Sequence, residues 1–164
     1  MQDPCRLWPR HIAFSPNHKY AYLLNELDAQ LMVYSWHNDS LSYLQTLVST
    51  TVEDTANADK GASAIRVSPD GKFVYTSNRG KANDLTIFQV QPDGLLKEVA
   101  HQSTGPHPRD FIIDPTGHFL LVATRDDNTV RVYKRDATTG LLSETSQMIT
   151  LPRPVALLFA QKNK

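Results

Sequence analysis

Ala64-Ile65-Arg66-Val67-Ser68-Pro69-Asp70-Gly71-Lys72-Phe73-Val74-Tyr75-Thr76-Ser77-Asn78-Arg79 reads as a strand, a turn and a second strand. Proline presets φ in the turn, glycine supplies its left-handed residue, and the apolar runs on either side have strand length. The same pattern occurs twice more. Upstream it is His11-Ile12-Ala13-Phe14-Ser15-Pro16-Asn17-His18-Lys19-Tyr20-Ala21-Tyr22-Leu23-Leu24-Asn25-Glu26. Downstream it is Asp110-Phe111-Ile112-Ile113-Asp114-Pro115-Thr116-Gly117-His118-Phe119-Leu120-Leu121-Val122-Ala123-Thr124-Arg125. Pro16, Pro69 and Pro115 thus recur at roughly 50-residue spacing, a period found in arrays of repeated sheets.

Each unit continues alike. Third strands follow at Leu31-Met32-Val33-Tyr34, Leu85-Thr86-Ile87-Phe88 and Val130-Arg131-Val132-Tyr133, rich in β-branched and aromatic residues. More polar fourth strands are predicted at 44–49, 96–102 and 142–149, after linkers such as Asp93-Gly94 and Thr139-Gly140. Helix signals are scarce. Four antiparallel strands per unit, repeated, make a β-propeller blade. The fold class is therefore all-β, a partial β-propeller with blades at about 9–50, 62–104 and 108–150. An apolar run within 152–160 is expected to form the inner strand of a fourth blade, and residues 1–8 stand outside the pattern as a lead-in. A closed propeller needs about four to eight blades. The expectation is a part ring, closed by a second copy as a homodimer or by further blades of a longer product.

Composition narrows the partners. The 164 residues carry 17 Lys plus Arg and 17 Asp plus Glu, so the net charge is zero and offers no general attraction to nucleic acid or anionic lipid. No apolar stretch approaches the roughly 20 residues of a membrane-spanning helix, and Met1 to Arg10 lacks the apolar core of a signal peptide. Cys5 is the only cysteine, which excludes an internal disulfide and a multi-cysteine zinc site. By default these features place the chain in the cytoplasm. The histidines show no metal-ligand spacing and no Gly-x-Ser-x-Gly elbow is present, so neither a metal, another cofactor nor a serine-hydrolase triad is expected.

Blade topology also locates a site. The start of a first strand and the end of a second strand lie at one rim, and the first strands line the axis. At those positions the sequence places Arg10-His11, Ser63-Ala64, Arg109-Asp110 and Arg153, then Asn25-Glu26, Asn78-Arg79 and Thr124-Arg125. Guanidinium forks suit carboxylate or phosphate, and a glutamate among them can act as a base or orient water. An anionic small molecule is the natural ligand. Charged strand ends are also ordinary solvated boundaries, Glu26 can pair structurally, and Asn25 and Asn78 can satisfy local backbone. The polar segment Thr51 to Gly61 reads either as a lid over that rim or as a tolerated surface insertion. Thr104-Gly105-Pro106-His107-Pro108-Arg109 stiffens the approach of Arg109.

Five ordered motifs carry a resemblance: Pro9-Arg10-His11-Ile12-Ala13-Phe14-Ser15-Pro16, Asn25-Glu26-Leu27, Val67-Ser68-Pro69-Asp70-Gly71-Lys72-Phe73-Val74-Tyr75, Ser77-Asn78-Arg79-Gly80 and Pro108-Arg109-Asp110-Phe111-Ile112-Ile113-Asp114-Pro115-Thr116-Gly117. From Pro9 onward the chain resembles the C-terminal half of the seven-bladed propeller lactonase family, which includes propeller-type 6-phosphogluconolactonases and the fungal 3-carboxy-cis,cis-muconate lactonizing enzyme. The resemblance implies a lactone hydrolase of the oxidative pentose phosphate route. It assigns catalytic roles to Glu26, which activates water or shuttles a proton, and to Arg10 and Arg79, which hold the anionic group and the oxyanion. His11, Asn78 and Arg109 are the expected substrate-binding residues.

Two departures stand out. The family has a further functional histidine in the blade before Arg10, and a Gly-rich approach to its Pro-Arg-His motif, where this chain reads Cys5-Arg6-Leu7-Trp8. Codons for those four residues, shifted by one base, can spell Val-Gly-Ser-Gly, so a frameshift or gene truncation is the expected origin of residues 1–8. Activity of such a half ring stays open. The competing readings are a carboxy-muconate cycloisomerase and a non-catalytic propeller interaction module.

Overall fold

The computed structural model describes residues 8–52 and 60–160. The first blade contains β1 (Pro9–Phe14), β2 (Tyr20–Asn25), β3 (Gln30–His37) and β4 (Ser40–Val48). The second contains β5 (Ala62–Val67), β6 (Phe73–Asn78), β7 (Asp84–Val90) and β8 (Leu96–Ser103). The third contains β9 (Pro108–Ile113), β10 (Phe119–Thr124), β11 (Thr129–Arg135) and β12 (Leu142–Thr150). Each blade is a four-stranded antiparallel meander in sequence order. No helix among the described residues is long and apolar enough to cross a membrane.

The proline turns close as their residues dictate. Gly71 donates its N–H to Ser68 O at 2.8 Å and Gly117 to Asp114 O at 2.8 Å, with φ of +70° and +75°. His18 holds the same left-handed position in the first blade at φ +56°. A non-glycine residue is tolerated there at a modest cost. Fourth strands begin earlier than the sequence indicates in the first blade, at Ser40, because the short turn Asn38-Asp39, both at positive φ, reverses the chain directly.

The core lies between the blades. Tyr22, Leu24 and Leu31 meet Ile65, Val74 and Phe88 across the first junction. Phe73, Tyr75 and Leu85 meet Phe111, Leu120 and Tyr133 across the second. Polar clamps repeat at both. Tyr22 Oη donates to Gly94 O at 3.3 Å, and Tyr75 Oη to Gly140 O at 2.8 Å. Both glycines have positive φ, and a Cβ on either would overlap the Tyr20 or Phe73 ring. Only glycine lets the hairpin of one blade lie this close to the aromatic of the next.

Pro152 to Ala160, expected as an inner strand, is not laddered. An inner strand pairs with the second strand of its own blade, which these residues do not include. The segment instead runs beside β9, where Leu157 N–H donates to Asp110 Oδ2 at 2.9 Å. Residues 1–7 of the 1–8 lead-in, and residues 53–59 of the Thr51 to Gly61 segment read as a lid or an insertion, lie outside the described residues.

Candidate active site

Every inner strand enters its blade through a β-bulge. In β1, Pro9 faces Asn25 and His11 faces Leu24, which leaves Arg10 outside the ladder. In β9, Pro108 faces Thr124 and Asp110 faces Ala123, which leaves Arg109 outside. β5 has the same irregularity between Ala62 and Ile65, at Ser63-Ala64. A bulge re-aims the extra residue without ending the pairing. The opposite wall is fixed as regularly. Just past each second strand, an amide closes onto the residue before the bulge: Glu26 N–H to Trp8 O at 2.9 Å, Arg79 to Gly61 O at 2.8 Å and Arg125 to His107 O at 3.1 Å.

These two positions bring Arg10, Glu26 and Arg79 together. Arg10 Nη1 donates to Glu26 Oε2 at 2.6 Å, and Arg79 Nη2 donates to Glu26 Oε1. One carboxylate therefore bridges guanidinium groups from two blades. Burial would raise the Glu26 pKa, but hydrogen bonds from Arg10 and Arg79 outweigh it and hold the carboxyl below its ordinary range. Glu26 is thus an anion at neutral pH, and a weak base while both arginines hold it.

Arg109 joins them without a partner of its own. Its side chain makes no hydrogen bond or ion pair among the described residues. Desolvation lowers its pKa, followed by repulsion from Arg10 and Arg79, with Glu26 opposing. Arg10 and Arg79 thus share the one carboxylate and Arg109 adds a further positive charge nearby, an excess in partial shelter from water. Arg125, by contrast, is paired with Asp126 at 2.6 Å.

His11 is exposed in β1. Its pKa is lowered by desolvation and then by Arg10 and Arg66, so it is biased toward the neutral form beside the arginines. Asn78, expected at the substrate, is not with them. It is fully buried, and its Nδ2 donates to Asp84 Oδ1 at 2.8 Å and Thr86 Oγ1 at 3.1 Å. It points along the sheet toward the outer strands because β7 offers those acceptors.

Ser63, which the repeat places at the rim without a role, has one in the structure. It is fully buried, its carbonyl accepts Arg10 Nε at 2.6 Å, and its hydroxyl donates to the Arg109 carbonyl at 2.6 Å. It ties the two arginine-bearing bulges into one row. Its alignment with Arg10 and Arg109 across the repeats was the available signal. No cluster of three or more His, Cys, Asp or Glu among the described residues is placed to hold a metal ion.

Residues 8–159 match the family described as Lactonase, 7-bladed beta-propeller. The chain belongs to the seven-bladed β-propeller lactonase family. Within it, the 6-phosphogluconolactonase of Formosa agariphila is 40% identical over 148 residues, which cover 87% of this chain and 40% of that protein. The 6-phosphogluconolactonase of Bacillus subtilis is 35% identical over 153 residues, 92% of this chain and 44% of that protein. Among solved structures, the periplasmic gluconolactonase PpgL of Pseudomonas aeruginosa superposes with a TM-score of 0.88 at 35% identity, covering 98% of this chain and 45% of PpgL. The chain therefore spans less than half the length of these lactonases, as three blades of seven would.

Proposed function

We propose that this chain provides the arginine-glutamate wall of a lactonase that opens 6-phosphogluconolactone to 6-phosphogluconate. The observation that carries this reading is Arg109, a part-buried guanidinium beside Arg10 and Arg79 with no side-chain partner among the described residues. An anion relieves that repulsion, and the substrate supplies one as its phosphate. Relatives named 6-phosphogluconolactonase support the same substrate.

In the reaction, water adds to the lactone carbonyl, the tetrahedral oxyanion collapses, the ring C–O bond breaks and the ring oxygen leaves as a hydroxyl. Guanidinium groups stabilise the oxyanion where charge develops. Glu26 takes the proton of the attacking water and returns it to the ring oxygen. A substrate anion that draws an arginine toward itself loosens the clamp on Glu26 and restores its basicity, so binding and activation are coupled. His11 lies beside the same wall and orients the substrate.

The test is hydrolysis of 6-phosphogluconolactone by the purified chain, with Glu26→Gln and Arg109→Ala as variants. Loss of at least about 100-fold in kcat for Glu26→Gln, with a folded protein, is expected. A raised KM is expected for Arg109→Ala. An inactive chain that still binds inorganic phosphate through Arg109 would favour a binding module instead. Turnover of a carboxy-muconate alone would assign it as a cycloisomerase.

The proposed partner for the apolar outer faces of the part ring is a second copy of this chain. Light scattering during gel filtration checks it, and a stable monomer would exclude it. The proposed compartment is the cytoplasm, where the pentose phosphate route supplies the lactone; cell fractionation tests it, and recovery in the periplasm would overturn it.

A further inference from the structure

The two junctions between blades are built on one frame, and the second shows what the first can hold. Arg135, at the end of β11, fills the second junction near the rim opposite Glu26. Its side chain is 1% exposed. Its Nε donates to Tyr75 Oη at 2.9 Å, its Nη1 to Gly117 O at 2.9 Å and its Nη2 to both oxygens of Asp70 at 3.1 and 2.9 Å. The guanidinium lies 5.5 Å from the centre of the Phe73 ring.

The first junction repeats this frame with three side chains changed, of which the loss of the arginine opens the most space. Asn17 stands for Asp70, Tyr20 for Phe73, Tyr22 for Tyr75 and Gly71 for Gly117. The match extends to hydrogen bonds. Asn17 Oδ1 accepts from Ser15 Oγ at 2.7 Å and Lys19 N–H at 3.1 Å, as Asp70 Oδ1 does from Ser68 Oγ at 2.5 Å and Lys72 N–H at 3.1 Å. Val90 occupies the place of Arg135, since its N–H donates to Lys72 O at 2.8 Å and that of Arg135 to His118 O at 2.7 Å. Valine ends short of the frame. An open cleft of about 370 Å³ follows, lined by Asn17, Tyr20, Gly71, Lys72 and Val90 and bordered by Asp70.

We propose that this cleft is a binding site for a guanidinium group, distinct from the proposed lactone site and independent of that reading. The Tyr20 ring offers the cation a face, as Phe73 does for Arg135. The Gly71 carbonyl accepts its N–H groups, and Asn17 Oδ1 accepts a further one beside its bonds to Ser15 and Lys19, as Asp70 Oδ1 does for Arg135. The Asp70 carboxylate, already held by Arg135, adds little free charge. Lys72 opposes it, but its side chain is exposed at the lip and can extend into water. Asn17 offers one oxygen where Asp70 offers two and a charge, so the site is weaker than its counterpart.

Methylguanidinium titrated into the ¹⁵N-labelled chain is expected to shift the Gly71 and Asn17 amides saturably, whereas methylammonium, which lacks the planar fork, does not. Asn17→Asp is expected to tighten binding about tenfold. Val90→Arg places a tethered guanidinium in the cleft, abolishes binding and raises the unfolding midpoint. The Asn17→Asp arm stands if Val90→Arg does not fold. Tighter binding of free arginine than of Gly-Arg-Gly assigns the site to a small molecule, and the reverse order to an arginine of a partner protein. No saturable shift, an equal response to methylammonium, or unchanged binding in Asn17→Asp would overturn the proposal.

Discussion

Ile65 and Ile12 hold the same position in two inner strands, yet Ile65 is 1% exposed and Ile12 46%. Phe73 and Phe119 repeat the contrast in second strands, at 1% and 42%. Residue type is the same and surroundings are not. The middle blade is packed on both faces, and all six residues of β6 are buried. The first and third blades are each packed on one. In a repeat architecture the pattern along a strand therefore records the neighbours it is built to meet, and burial follows only where a neighbour lies.

The contrast can be broken most severely at Arg135, which secures the third blade to the middle one. Arg135→Ala removes its bonds to Tyr75, Gly117 and Asp70 and leaves a buried gap. We expect a loss of about 3 kcal/mol in urea unfolding. A loss under half of that would mean the junction is held by apolar packing alone. A sharper test pairs Ile65→Ala with Ile12→Ala. The first is expected to cost about 2–4 kcal/mol and the second about 0.5 kcal/mol or less, because only one vacates a covered site. Equal costs would show that the outer face of the first blade is covered in solution.

The smallest effect concerns Glu26, at the rim between the first two blades. Its pKa is lowered in the folded chain. Its contribution is therefore present above the unfolded carboxyl value and is lost as pH falls through the lowered one. Wild type and Glu26→Gln should differ in unfolding midpoint at pH 7 and converge in acid. A gap that persists in acid would remove the ion pairs as its cause.

The blades were legible in the sequence because proline turns, glycine and alternating apolar runs are local signals. So was the convergence of Arg10, Glu26, Arg79 and Arg109, which follows from topology once the repeat is recognised. Asn78 was not, because its buried position depends on acceptors from β7 that no local pattern marks. Arg135 was missed for a related reason. A charged residue at a strand end reads as solvated, and nothing in its own blade reveals the tyrosine, glycine and aspartate that enclose it. Pro152 to Ala160 shows the opposite failure, an apolar run of strand character whose ladder depends on a partner strand.

The bulges at Arg10, Ser63 and Arg109 have a consequence for how such a protein changes over time. A residue outside the ladder contributes little to strand pairing, so its replacement leaves the register of the blade intact. Selection can then exchange arginine for serine at that position, blade by blade, and alter what the rim recognises while the scaffold stays put. The rim can drift in chemistry faster than the ring can drift in shape.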